Sequence, residues 1–102
     1  MKVDFLSEAA EEFLAAISRY NDERKGLGDE FAAEVRRAVE RIEQFPNAWV
    51  ALSRRTRRCL VNRFPYGVLY QVRGEALLIV AVMHLHRDPK SWRRRLPSGE
   101  RG

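Results

Sequence analysis

Apolar residues recur at helical spacing through the first half of the chain and switch to strand-like spacing after residue 57. Lys2–Leu6 reads as a short strand, with Val3 and Phe5 on one face. Ser7 is placed to cap a helix over 8–24. Glu8 and Glu11 then fall in the first turn, where the helix dipole favours acids. Ala10, Phe13, Ile17 and Tyr20 make its apolar stripe. Lys25-Gly26-Leu27-Gly28 breaks it, and Asp29 is placed to cap a second helix along Phe31, Val35, Ala38, Val39 and Ile42. That helix should stop near Phe45, because Pro46 disfavours helical backbone in the residue before it. Asn47–Ser53 reads as a loop from which Trp49 folds back onto the core.

Three strands are then expected over Arg57–Phe64, Val68–Arg73 and Ala76–Leu85. A Tyr66-Gly67 corner joins the first two, and a turn at Arg73-Gly74-Glu75 joins the last two. Links this short imply antiparallel neighbours. Ala76–Met83 is apolar at every position, so it should be a central strand covered on both faces. Lys90–Leu96 reads as a short final helical turn. The expected architecture is α+β, in the order β-α-α-β-β-β: an antiparallel-rich sheet with a helical hairpin packed on one face. Residues 1–97 are expected to form one domain, and 98–102 a frayed tail.

Composition narrows the function. Cys59 is the single cysteine, so no internal disulfide forms, and it suits a small apolar strand position. No apolar run approaches the ~20 residues of a membrane helix. Asp4, Glu8, Glu11 and Glu12 stand where a secretion signal would need an apolar core, which points to the cytoplasm. Charge is polarised: residues 1–51 hold 7 Lys/Arg against 11 Asp/Glu, and residues 52–102 hold 12 against 3. The basic half should attract an anion, either nucleic acid or an acidic protein, or else serve as a solvated face. The 16 arginines against 3 lysines favour recognition, since guanidinium binds phosphates and carboxylates bidentately.

Two segments carry a resemblance: Phe64-Pro65-Tyr66-Gly67-Val68-Leu69-Tyr70 and His84-Leu85-His86-Arg87-Asp88-Pro89-Lys90-Ser91-Trp92. With this order of elements at this length, the chain resembles the RelE/ParE family of small bacterial toxins. The second segment is similar to the ParE-side ending, His-x-x-Arg-x-Pro-x-x-Trp. The resemblance covers nearly the whole chain. It implies the toxin of a type II toxin-antitoxin module, paired with an antitoxin that folds upon it. ParE-like members poison DNA gyrase; RelE-like members cleave mRNA on the ribosome; some relatives have little toxicity.

Metal-free RNA cleavage needs a base, a phosphate-holding cation and an acid. RelE-like nucleases supply lysines and arginines on the sheet and a tyrosine near the C-terminus. Here Gly67 stands where an arginine would follow the corner aromatic, and Trp92 stands for the tyrosine. If a nuclease site exists, its residues are His84, His86, Arg63 and Arg87, with the two histidines on one strand face and roughly 7 Å apart. Otherwise His84 caps the strand end and His86 lies on a binding surface. The leading expectation is a toxin that binds gyrase through Arg87, Lys90, Trp92, Arg93, Arg94 and Arg95, in a segment (90–102) separable from the fold. A non-toxic nucleic-acid-binding or antitoxin-buffering module is the remaining alternative. The antitoxin is expected on the helical hairpin at Phe13 and Ile17, on an exposed sheet edge, and against Arg54, Arg55, Arg57 and Arg58. No metal or cofactor is expected, since two histidines with Asp88 make a poor ligand set.

Overall fold

The computed structural model describes residues 1–88 and 90–101. Its elements are β1 (Lys2–Phe5), α1 (Ser7–Glu23), α2 (Leu27–Gln44), β2 (Val50–Ala51), β3 (Arg57–Leu60), β4 (Tyr66–Arg73) and β5 (Ala76–His84), followed by two 3-10 turns at Ser91–Arg95 and Ser98–Glu100. The strands form one sheet in the order β1-β5-β4-β3-β2. Every neighbouring pair is antiparallel except β1 with β5. The α+β expectation holds, with one strand added: β2 lies in the segment expected as loop and pairs Val50 with Arg58 and Ala51 with Arg57.

Helix starts differ from the expected caps. Leu6, not Ser7, is the extended residue preceding α1. Gly26, in left-handed backbone at φ +88°, precedes α2, so Asp29 sits in the first turn, where its charge favours the dipole. Gly28 lies inside α2 because α1 passes so close. A Cβ there would fall 2.1 Å from the Ile17 carbonyl oxygen. The Gly28 N–H donates to Asn21 Oδ1 at 2.7 Å, so a side chain of α1 satisfies an orphan donor at the start of α2.

The β3–β4 link also moves. It spans residues 61–65, with Arg63 at φ +72°, and Tyr66 and Gly67 already belong to β4. β4 and β5 join through the two-residue turn Gly74-Glu75, where Gly74 takes φ +60°. Their ladder slips at one point: Leu69 pairs with Ala81 and Tyr70 with Ile79, leaving Val80 as the extra residue of a bulge.

That bulge divides the core. Val82 and Ile79 face the helices with Phe31, Val35, Ala38, Ile42 and Tyr70. Val80 and Ala81 both face the other side, against Leu69, Met83, Trp92 and Leu96. β5 is therefore covered on both faces, as its uniform apolarity requires, although β4 occupies the middle of the sheet. Of the expected tail, residues 98–101 are tied down: Gln71 Nε2 donates to the Glu100 carbonyl at 2.7 Å, and Arg73 pairs with the Glu100 carboxylate at 3.1 Å. Gln71 needs that acceptor because its side chain is buried.

Candidate functional site

The 3-10 turn decides which C-terminal residues face outward. At three residues per turn, positions i and i+3 eclipse. Trp92 and Arg95 therefore point the same way, toward the sheet. Trp92 is 1% exposed, packed on the sheet face away from the helices, so it is not a displayed contact residue. Arg95 is not free either. Its guanidinium forms a two-pronged pair with Glu12 of α1, at 2.6 Å on each prong, and donates to the Val80 carbonyl at 3.0 Å. That carboxylate holds the Arg95 pKa above its ordinary value. Arg93 and Arg94 remain exposed, and Arg93 lies over the Trp92 ring at 5.5 Å. Lys90 is exposed. Arg87 is half-exposed and reaches Glu12 at 3.3 Å. Pro89 of the family-like ending lies outside the described residues. Because Trp92 and Leu96 are core residues, segment 90–102 is not separable from the fold.

The bulge explains why Glu12 and Arg95 meet. β1 covers β5 only along 76–79, which leaves the edge beyond open. Arg95 takes the Val80 carbonyl there, and the Val82 N–H donates to Glu12 Oε1 at 3.2 Å. The ion pair satisfies two edge groups that lack a strand partner.

The four nuclease candidates do not assemble as a set: His84, His86 and Arg87 lie near one another, but Arg63 does not join them. β5 ends at His84, so His86 lies in the following turn and the two rings sit 5.0 Å apart. The His86 N–H donates to His84 Nδ1 at 3.1 Å, which puts the proton of a neutral His84 ring on Nε2. Arg63 turns to α2 and pairs with Glu30 at 2.7 Å and Glu34 at 3.7 Å. That contact pulls the Glu30 carboxyl below its usual range. Over Gly67, the Arg58 side chain fills the space: a Cβ would fall 2.8 Å from its Cδ. The hollow beside it, where His84 and Arg87 meet Leu52, Leu69, Met83 and Leu85, amounts to about 10 Å³, barely room for a water molecule.

The four arginines assigned to the antitoxin split. Arg58 faces this apolar side, whereas Arg54, Arg55 and Arg57 line a cleft of about 410 Å³ with Arg73 and Tyr70. Arg57 donates to the Trp49 carbonyl at 2.7 Å, and the Tyr70 hydroxyl to that of Pro46 at 2.6 Å. Burial pushes the Tyr70 phenol up to about 12. Arg54 and Arg55 are exposed. On the hairpin, Phe13 lines a second, apolar cleft of about 320 Å³ with Phe5, Val35 and Val39. Ile17 does not reach it; it packs on the core at the crossing of α1 and α2.

A third cleft was not foreseen. About 400 Å³ in volume, it lies between α1 and the open end of β5, lined by Glu12, Arg19, Tyr66, His84 and Arg87 among others. Arg19 donates to the Tyr66 hydroxyl oxygen. No sequence spacing connects residues 12 and 19 with 66, 84 and 87.

Against known families, the ParE toxin of the type II toxin-antitoxin system parDE matches over residues 5–89. This chain belongs to the ParE toxin family. A solved structure titled "Chromosomal ParDE TA system from P. aeruginosa" shares the fold, with a TM-score of 0.71 at 16% identity, covering 82% of this chain and 95% of that one. No match is found among curated proteins. Among the described residues no group of three or more His/Cys/Asp/Glu could hold a metal ion. No described helix is long and apolar enough to cross a membrane.

Proposed function

We propose that this ParE-family toxin acts by binding DNA gyrase and trapping it on cleaved DNA, and that a cognate antitoxin neutralises it. The observation that carries the reading is the outward pair Arg93 and Arg94, mounted on a turn whose other face is locked into the core by Trp92 and Arg95. Such a turn fixes the backbone that carries the two cations, so only side-chain freedom is lost when a partner meets them. Arg87 and Lys90, exposed just before this turn in the sequence, are the further candidates for the contact.

The antitoxin reading rests on two clefts of different character. The apolar one at Phe13, between β1 and the helical hairpin, suits an amphipathic helix. The one at Arg54, Arg55 and Arg57 suits acidic side chains. The RelE-like alternative has weaker support, since Arg63 is turned away to Glu30 and Glu34.

Purified, antitoxin-free protein incubated with gyrase and supercoiled plasmid should accumulate double-strand breaks in proportion to its concentration. The variant R93Q/R94Q should stay folded and lose about tenfold or more in potency, the scale of one or two interface hot spots. Full potency of that variant, or no breaks from folded wild-type protein, would overturn the proposal. The second outcome would make ribosome-dependent mRNA cleavage the next assay.

A further inference from the structure

We propose that the cleft between α1 and the open end of β5 binds a phosphodiester group of a nucleic acid. The chain would then touch nucleic acid itself, through Arg19, Tyr66, His84 and Arg87. The proposal does not rest on gyrase as the target.

Four of the five polar side chains that line the cleft can donate, the exception being Glu12, and Ala15, Val82 and Met83 complete the wall. Arg19 gives one N–H to the Tyr66 hydroxyl oxygen and pairs with no carboxylate among the described residues. Because that oxygen accepts from Arg19, the phenol proton is free to donate, and it meets no acceptor among the described residues. His84 lines the same cleft, and its Nδ1 is occupied by the His86 N–H, so its Nε2–H is the donor left. Arg87 uses one nitrogen on Glu12 and keeps the rest of its fork.

The one carboxylate on the wall does not cancel this. Glu12 is held on both oxygens by Arg95, and also accepts from Arg87 and Val82 N–H. The Arg95 charge matches that of Glu12, which leaves Arg19 and Arg87 uncompensated. Glu12 and Arg95 also occupy edge groups of the bulge, so an incoming peptide strand would find the Val80 carbonyl and Val82 N–H already taken.

The donor geometry favours phosphate over carboxylate. The four groups come from α1, β4, β5 and the turn after β5, so they approach from different sides. A tetrahedral phosphate accepts from several directions, whereas a carboxylate is best served by one planar fork. Lys90, Arg93 and Arg94, which follow Arg87 in the sequence, are exposed as well.

The test is fluorescence anisotropy with the full-length, antitoxin-free chain. The probes are a short labelled DNA duplex and single-stranded RNA of the same sequence, between about 50 and about 200 mM salt. Wild-type protein should bind, and whichever polymer it holds more tightly identifies the source of the phosphodiester. Arg19→Gln should weaken binding about tenfold and reduce the salt slope by about one. Arg19 is exposed, so the fold should survive; Tyr66→Phe, which keeps the ring and deletes the phenol proton, should weaken binding less. R54Q/R55Q, in the other basic cleft, should leave the slope unchanged. Three results would overturn the proposal: Arg19→Gln binding like wild type, R54Q/R55Q weakening binding as much as Arg19→Gln, or wild type binding polyglutamate but neither nucleic acid.

Discussion

Replacing Trp92 with alanine separates a structural role for the C-terminal segment from a role in recognition. The side chain is 1% exposed and packs with Leu69, Val80, Ala81, Met83 and Leu96. A buried tryptophan removes about 150–250 Å² from water. At about 25 cal/mol/Å² that is about 4–6 kcal/mol, an upper figure because the unfolded chain already hides part of it. One term opposes this. The indole N–H is buried without an acceptor among the described residues, a loss of about 1–3 kcal/mol that wild type already bears. The net expectation for Trp92→Ala is a loss of about 3 kcal/mol, within the range of about 3–5 measured for such truncations. Against the total of about 5–15 kcal/mol available to a domain this size, the variant is badly weakened. In a thermal melt followed by far-UV circular dichroism, Tm should fall by about 12–24 °C. Trp92→Phe keeps most of the packing and sheds the unpaired N–H, so it should lose about 1 kcal/mol or less, and it should keep its toxicity. A Trp92→Ala melt that coincides with wild type would refute the reasoning. A Trp92→Phe protein that melts normally but is no longer toxic would give the indole a recognition role after all.

Two further outcomes follow from buried polar groups. Glu12→Gln leaves Arg95, 11% exposed, without its anion; it should lose about 2–4 kcal/mol in urea unfolding, and a double-mutant cycle with Arg95→Met should return a coupling of at least about 1 kcal/mol. Tyr70→Phe should lose about 1 kcal/mol near neutral pH with the bond to the Pro46 carbonyl. The Tyr70 phenol ionises at about 12 in the fold and at about 10 unfolded, so its contribution is complete below pH ~10 and disappears as pH rises through ~12. By about pH 11 wild type has lost about 1.4 kcal/mol that the phenylalanine variant cannot lose, and the stability gap should close; a gap unchanged between about pH 7 and pH 11 would count against it.

The parts of the fold that the sequence disclosed are those written in local periodicity. The Val3 and Phe5 alternation, the α1 and α2 stripes, the alternation from Arg57 and the uniform apolarity of β5 placed two helices and four strands. What it concealed is non-local or too short to show a period. β2 has two residues, too few to alternate. The parallel partnership of β1 with β5 joins segments at opposite ends of the chain. The Val80 bulge breaks no local rule, because every residue there is apolar. For the candidate site, the basic C-terminal run was legible as charge, but not which arginines point inward. The signal was present in the i, i+3 spacing of Trp92 and Arg95, had a 3-10 turn been assumed. Glu12 gave no signal, since its partner lies 83 residues away.

The pairing of β1 with β5 also bears on how the protein is made. Strand β1 has no neighbour in the sheet until β5, the last of the five, has been made, and the Glu12–Arg95 lock joins residues 83 apart. Helices α1 and α2 can form early, since their bonds are local, but the sheet waits for β5. A translation product halted before residue 76 therefore carries a helical hairpin with exposed apolar faces and no completed sheet. A nascent chain of this topology has no closed sheet until β5 is made, and an interrupted one offers proteases an unfinished core.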